Sequence, residues 1–98
     1  MNTAIVMLGT NINCEENLSK AKSRLSDFFE IIDESVAIYT KPIGKKYTSD
    51  FLNQAIKLLS DDKWRQTEKL FKEIENELGR SSFTNQKGIV PIDIDLIF

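Results

Sequence analysis

Val90-Pro91-Ile92-Asp93-Ile94-Asp95-Leu96-Ile97-Phe98 alternates apolar and polar residues with a period of two, and its parity constrains how the rest of the chain folds. Successive side chains of a strand point to opposite faces, so Ile92, Ile94, Leu96 and Phe98 share one face and Asp93 and Asp95 the other. The apolar row needs a layer to bury against. The acidic row is left on the far side, and a one-residue slip of register would exchange the two. Pro91 suits the first residues of a strand, or a strand at the edge of a sheet.

The segments upstream supply that layer. Trp64, Thr67, Leu70, Phe71, Ile74 and Leu78 recur at helical spacing, with Asp61 as a candidate N-cap and Gly79 where a C′ residue belongs. A polar loop is expected over 81–88. Residues 51–59 read as a strand with Leu52, Ile56 and Leu58 on one parity and Phe51, Asn53 and Lys57 on the other. Residues 32–40 read as another, through Ile32, Glu34, Val36, Ile38 and Thr40, closed by Pro42 and Gly44. Asn13 and Glu16 form a candidate capping box for a helix whose stripe is Leu18, Ala21, Leu25, Phe28 and Phe29. The apolar run 4–8, stopped by Gly9-Thr10-Asn11, has the pattern of a central strand and a tight turn. The order βαββαβ predicts an α+β, ferredoxin-like fold: an antiparallel sheet with two helices on one face. With 98 residues and 41% apolar content, a single domain over 1–98 is expected.

Composition narrows the function classes. Thirteen Lys plus Arg against fifteen Asp plus Glu give a net charge of −2, which offers no broad basic surface for nucleic acid. With no histidine and one cysteine, Cys14, the chain has no internal disulfide, no usual zinc site and no histidine base. A reduced, cytoplasmic setting fits. The apolar run 4–8 is too short for a signal-peptide core and lacks a basic flank, and no membrane segment is expected.

Asp93 and Asp95 are the candidate chemistry. Side chains two apart on a strand lie roughly 7 Å apart at a rise of about 3.3 Å per residue, so both carboxylates reach one Mg²⁺ or a pair. Their mutual repulsion is relieved by a hard cation that keeps waters free for phosphate. Paired acids on an edge strand also discourage edge-to-edge pairing, and the pair alone does not choose between these roles.

Further residues stand in register with the pair: Gly9-Thr10-Asn11, the stretch from Tyr39 to Gly44, Asp50-Phe51-Leu52-Asn53, and Gly79-Arg80, whose arginine is thirteen residues before Asp93. Together they resemble the hydroxymethyldihydropterin pyrophosphokinases of folate biosynthesis over essentially the whole chain. The resemblance implies transfer of a pyrophosphoryl group from ATP to the hydroxymethyl group of a reduced pterin. It implies that Asp93 and Asp95 hold Mg²⁺ against the ATP phosphates and that Arg80 lies on the ATP side. It implies that Asn53 hydrogen-bonds the pterin, Phe51 stacks on it, and Thr40 and Ile43 belong to the pocket wall. The partners implied are small molecules, pterin and ATP.

The chain also departs from the pattern. Where the family reads Arg-Trp-Gly-Pro-Arg before the aspartates, this chain reads Gln86-Lys87-Gly88-Ile89-Val90. The family also continues past the position of Phe98 with further ATP and pterin contacts. Beside the enzymatic reading stand two others. One is a degenerate ferredoxin-like module that binds a ligand or partner without turnover. The other is one domain of a longer protein, or a chain whose ATP site is completed by a second copy or a partner chain. Lys41, Lys45 and Lys46 read as a solvated loop, Trp64 as core, and Cys14, with no base beside it, carries no role.

Overall fold

The apolar parities of four segments are satisfied together in one layer. In the computed structural model, which describes residues 2–44, 47, 49–60 and 64–97 without the Trp64 side chain, the strands are β1 (Asn2–Thr10), β2 (Glu30–Glu34), β3 (Ile38–Thr40), β4 (Phe51–Ser60) and β5 (Asp93–Leu96). The helices are α1 (Cys14–Ser26), α2 (Trp64–Glu77) and the short α3 (Ser82–Gln86). All strand pairs are antiparallel, in the order β2-β4-β1-β5, with β3 also on β4. This is the ferredoxin-like α+β arrangement, with the first strand central and β5 at an edge.

Val6 and Leu8 of β1, Leu52, Ile56 and Leu58 of β4, and Ile92 and Ile94 pack against Leu18, Ala21 and Leu25 of α1 and Phe71 and Ile74 of α2. Phe29 meets Phe71 edge-on at 6.2 Å. Burial of one such side chain is worth about 1.5–3 kcal/mol, which fixes strand parity more firmly than any surface interaction. Both long helices, α1 and α2, lie on this one face.

Gly79 ends α2 as its position predicted. At φ 109 it lets the Arg80 N–H reach Glu75 O and its own N–H reach Asn76 O, both at 3.1 Å, a Schellman closure. The direction of Arg80 is set by that turn.

Other local expectations are corrected. Asn13 is the N-cap of α1 but makes no side-chain cap bond, because it sits in the left-handed region at φ 45. The turn is held instead by Asn17 Nδ2 donating to Ile12 O at 2.8 Å, so no capping box with Glu16 forms. Phe28 falls beyond the helix and is exposed beneath the Arg24 guanidinium, 5.2 Å from its ring centre. The strand expected over 32–40 is broken into β2 and β3. Ser35 causes the break: its Oγ accepts the Ala55 N–H at 2.9 Å, a side chain replacing the backbone partner, and the register shifts between Ile31 and Asp33.

The loop expected over 81–88 contains α3, capped by reciprocal bonds between Ser81 and Thr84. The strand expected over 90–98 pairs as a ladder only at 93–96. Val90 is drawn off to Asn11, whose Oδ1 accepts the Val90 N–H at 2.6 Å and whose own N–H reaches Val90 O at 3.0 Å. Asp61, the Trp64 side chain, Lys45, Lys46 and Phe98 lie outside the described residues. No described helix is long and apolar enough to cross a membrane.

Candidate functional site

Gly9 is the centre of the row that faces away from α1 and α2, and is itself buried. In β1 it lies opposite Asn53 of β4 on one side and Asp93 of β5 on the other, and Asn53 in turn lies opposite Ile38 of β3. Directly opposed residues share a face, so Ile38, Asn53, Gly9 and Asp93 form one row across four strands. Strands lie about 4.8 Å apart, which puts the Asn53 and Asp93 backbones about 10 Å apart with only a glycine hydrogen between them. A Cβ on Gly9 would stand 3.1 Å from Asn53 Oδ1 and 4.0 Å from Phe51 Cδ1. The missing side chain makes room for the Asn53 amide, which lies over the glycine. In the adjacent row Asp95 lies opposite Met7, and Met7 opposite Ala55.

The pterin-side candidates are linked to one another. Asn53 Nδ2 donates to Thr40 Oγ1 at 2.7 Å, which fixes the amide and leaves its Oδ1 toward Gly9. Phe51, opposite Thr40, meets Tyr47 edge-on at 5.3 Å, which holds its ring. Ile43 is not gathered with them; it stands in the loop after β3, 92% exposed.

The acidic side is a tighter network. Arg80 Nη1 donates to Asp93 Oδ1 at 2.7 Å and reaches Ile92 O at 3.4 Å, while its Nε donates to Asn85 Oδ1 at 3.3 Å. Arg80 thereby ties α3 to β5. Burial would push the Asp93 carboxyl up, but hydrogen bonds from Asp95 and Arg80 outweigh it and hold the group below the usual carboxylate range. Asp95 is pushed up to about 6 by burial, by its hydrogen bond to Asp93 and by the charges of Asp93 and Glu75. The two carboxyls therefore share a proton as they titrate, and belong to one unit. For Arg80, burial is outweighed by Asp93 and Glu75, which raise the guanidinium further above its ordinary value.

Two oxygen-donor groups that compete for one proton suit a hard divalent cation, which takes the proton's place and removes the repulsion. Among the described residues no cluster of three or more metal-ligating side chains exists. Such a cation would therefore keep most of its coordination for water and phosphate, the habit of Mg²⁺. A concavity of about 210 Å³ runs along the outer edge of β5 past Asp95, between Glu68, Phe71 and Lys72 of α2 and Ile94 and Leu96.

The family model of the 7,8-dihydro-6-hydroxymethylpterin-pyrophosphokinases (HPPK) matches residues 5–98. The chain belongs to the HPPK family. The folate synthesis bifunctional protein of Arabidopsis thaliana is 28% identical over 96 residues, which is 96% of this chain and 20% of that protein. This HPPK chain thus spans about a fifth of the length of that curated relative.

One residue that the sequence reading missed borders the aspartate pair from the edge of β5. Glu75 is 2% exposed, and its Oε2 accepts the N–H of Ile94, the residue between the two aspartates, at 2.8 Å. A signal was available: Glu75 is four residues after Phe71 and three before Leu78, a charge within the apolar stripe of α2. Lys87, in the stretch that departs from the family's pattern, stands over the Phe83 ring at 5.8 Å.

Proposed function

We propose that this chain catalyses pyrophosphoryl transfer from ATP to the hydroxymethyl group of 6-hydroxymethyl-dihydropterin, with Asp93 and Asp95 as Mg²⁺ ligands and a cytoplasmic place of work. The observation that supports it is the row Asp93, Gly9, Asn53, which sets a carboxylate and an amide about 10 Å apart on the shelf, the face away from the two long helices. Family membership supports the same reading. Asn53, fixed by Thr40, orients the flat heterocycle by hydrogen bonding, and Phe51 offers its ring for stacking. The hydroxyl oxygen then forms its bond to the β-phosphorus as the bond to the AMP oxygen breaks, and the hydroxyl proton leaves to solvent. A bound Mg²⁺ would supply charge neutralisation on the phosphate oxygens, and Arg80 stands at the shelf edge to meet the same charge.

The test is AMP release from ATP with reduced hydroxymethylpterin and Mg²⁺. The Asp95→Ala variant should lose at least about 10²-fold in rate, the scale of removing a preorganised electrostatic contact. Equal rates in the two proteins would sink the proposal.

A second reading rests on Arg80 being engaged by Asp93 and on Gln86-Lys87-Gly88-Ile89-Val90 in place of the family's arginines. On it, the chain binds pterin without turnover, or a second copy or partner chain completes the ATP side. Calorimetry separates the two: pterin binding with no Mg²⁺-dependent nucleotide binding favours this second reading.

A further inference from the structure

Glu75 departs from the rule that carboxylates stay in water. A side chain of the α2 apolar stripe should be Leu or Ile, and burying a charge in its place is costly unless every oxygen is used. Here both are used. Oε2 accepts the Ile94 N–H at 2.8 Å and lies 3.5 Å from Arg80 Nη1, while Oε1 lies 3.4 Å from Lys72 Nζ. The Ile94 N–H belongs to an edge strand, and among the described residues no strand pairs with β5 on its outer side. An apolar residue at 75 would leave that N–H without this partner.

We infer that Glu75 is a positioning residue for the Asp93 and Asp95 pair, fixing the backbone between them and giving Arg80 a second anion; this rests on the cation-site reading above. Glu75 is not itself a ligand, because its oxygens are occupied by a backbone N–H and two side-chain cations. The first effect is geometric. Ile94 is held from outside by Glu75 and from inside by its pairing with Leu8, so the flanking aspartates keep their common face. The second is electrostatic. Arg80 Nη1 lies between Asp93 Oδ1 at 2.7 Å and Glu75 Oε2 at 3.5 Å. When Asp93 gives an oxygen to a cation, Arg80 still has Glu75. Without the Glu75 charge, Arg80 depends on Asp93 and competes with the cation for it.

The experiment titrates Mn²⁺ into the whole chain, wild type and Glu75→Gln, followed by calorimetry, with thermal melting as the control for folding. Glutamine keeps an acceptor for Ile94 and removes the charge. The expected result is an Mn²⁺ affinity lower by about tenfold, the effect of losing a group that orients a ligand, with melting close to wild type. A folded Glu75→Gln chain that binds Mn²⁺ within twofold of wild type would overturn the inference and leave the cation site intact. A wild-type chain that binds no Mn²⁺ would overturn both. A measurement on wild type alone guards against a variant that does not fold. Hydrogen exchange should find the Ile94 amide among the protected ones despite its edge position, and free exchange there would overturn the inference.

Discussion

The two faces of the sheet are built from the same strands and obey opposite rules. On the covered face Val6, Leu8, Leu52, Ile56, Leu58, Ile92 and Ile94 sit under α1 and α2, and each buried group lowers the free energy of the fold. On the open face the same strands present Gly9, Asn53, Asp93 and Asp95, where a missing side chain and a strained pair of carboxyls add little or subtract from stability. One residue of register separates the two. The contrast teaches that the chemistry proposed for this chain falls to residues the fold would tolerate losing, held in place by residues it would not.

The sharpest way to break that contrast is to truncate neighbours of opposite parity. Leu8→Ala should destabilise the chain by about 2–5 kcal/mol in urea denaturation. Met7→Ala should stay within about 0.5 kcal/mol. Similar losses from the two would erase the distinction. Gly9→Ala tests the shelf itself: the new Cβ meets Asn53 Oδ1 at 3.1 Å, so the amide must give way. Pterin affinity measured by calorimetry should fall several-fold while the urea midpoint hardly moves.

The smallest effect concerns the carboxyl pair. Asp95 titrates at about 6 in the folded chain against 3.8 ordinarily, so the folded state holds this proton more tightly than the unfolded one. Stability from that source is present at about pH 4 and is lost as pH rises to about 6. Asp93, held low, contributes in the opposite sense, its stability present at neutral pH and lost only as acid protonates it. Asp95→Asn should therefore melt a few degrees above wild type at pH 7.5 without divalent cations, and lose that advantage toward pH 4. Because Asp95 is largely solvated, the gain is modest. A variant that melts below wild type at pH 7.5 contradicts the sign.

The strand order, the parity of β4 and β5 and the Gly79 stop were all legible because each follows from a short repeating pattern or a single special residue. What was not legible depended on side chains acting as backbone. Ser35 interrupts a strand that its neighbours' β-branched side chains favour, because its hydroxyl takes a ladder partner that periodicity cannot reveal. α3 is five residues long and rests on a Ser81 and Thr84 cap, too little sequence to show a helical period. Asn13 has the right residue type for a cap and the wrong backbone, a matter of φ that the β1–α1 turn decides. At the site, the row of Asn53, Gly9 and Asp93 needs strand pairing that no local pattern contains. Glu75 was visible as an anomaly on its helix, but its purpose required Ile94 opposite it.

The central position of β1 has a consequence in time. It is the first of these strands to be synthesised, yet its partners are β4 and β5, with forty residues, 11–50, between its end and the start of β4. At a synthesis rate of about 5–20 residues per second, Val6 and Leu8 wait roughly 2–10 s for one edge to be covered, and longer for the other. Until β5 arrives the carboxyl pair does not exist as a pair. Of these strands, β5 therefore comes after the others to complete the shelf, enclosing β1 with the strand that carries the acids.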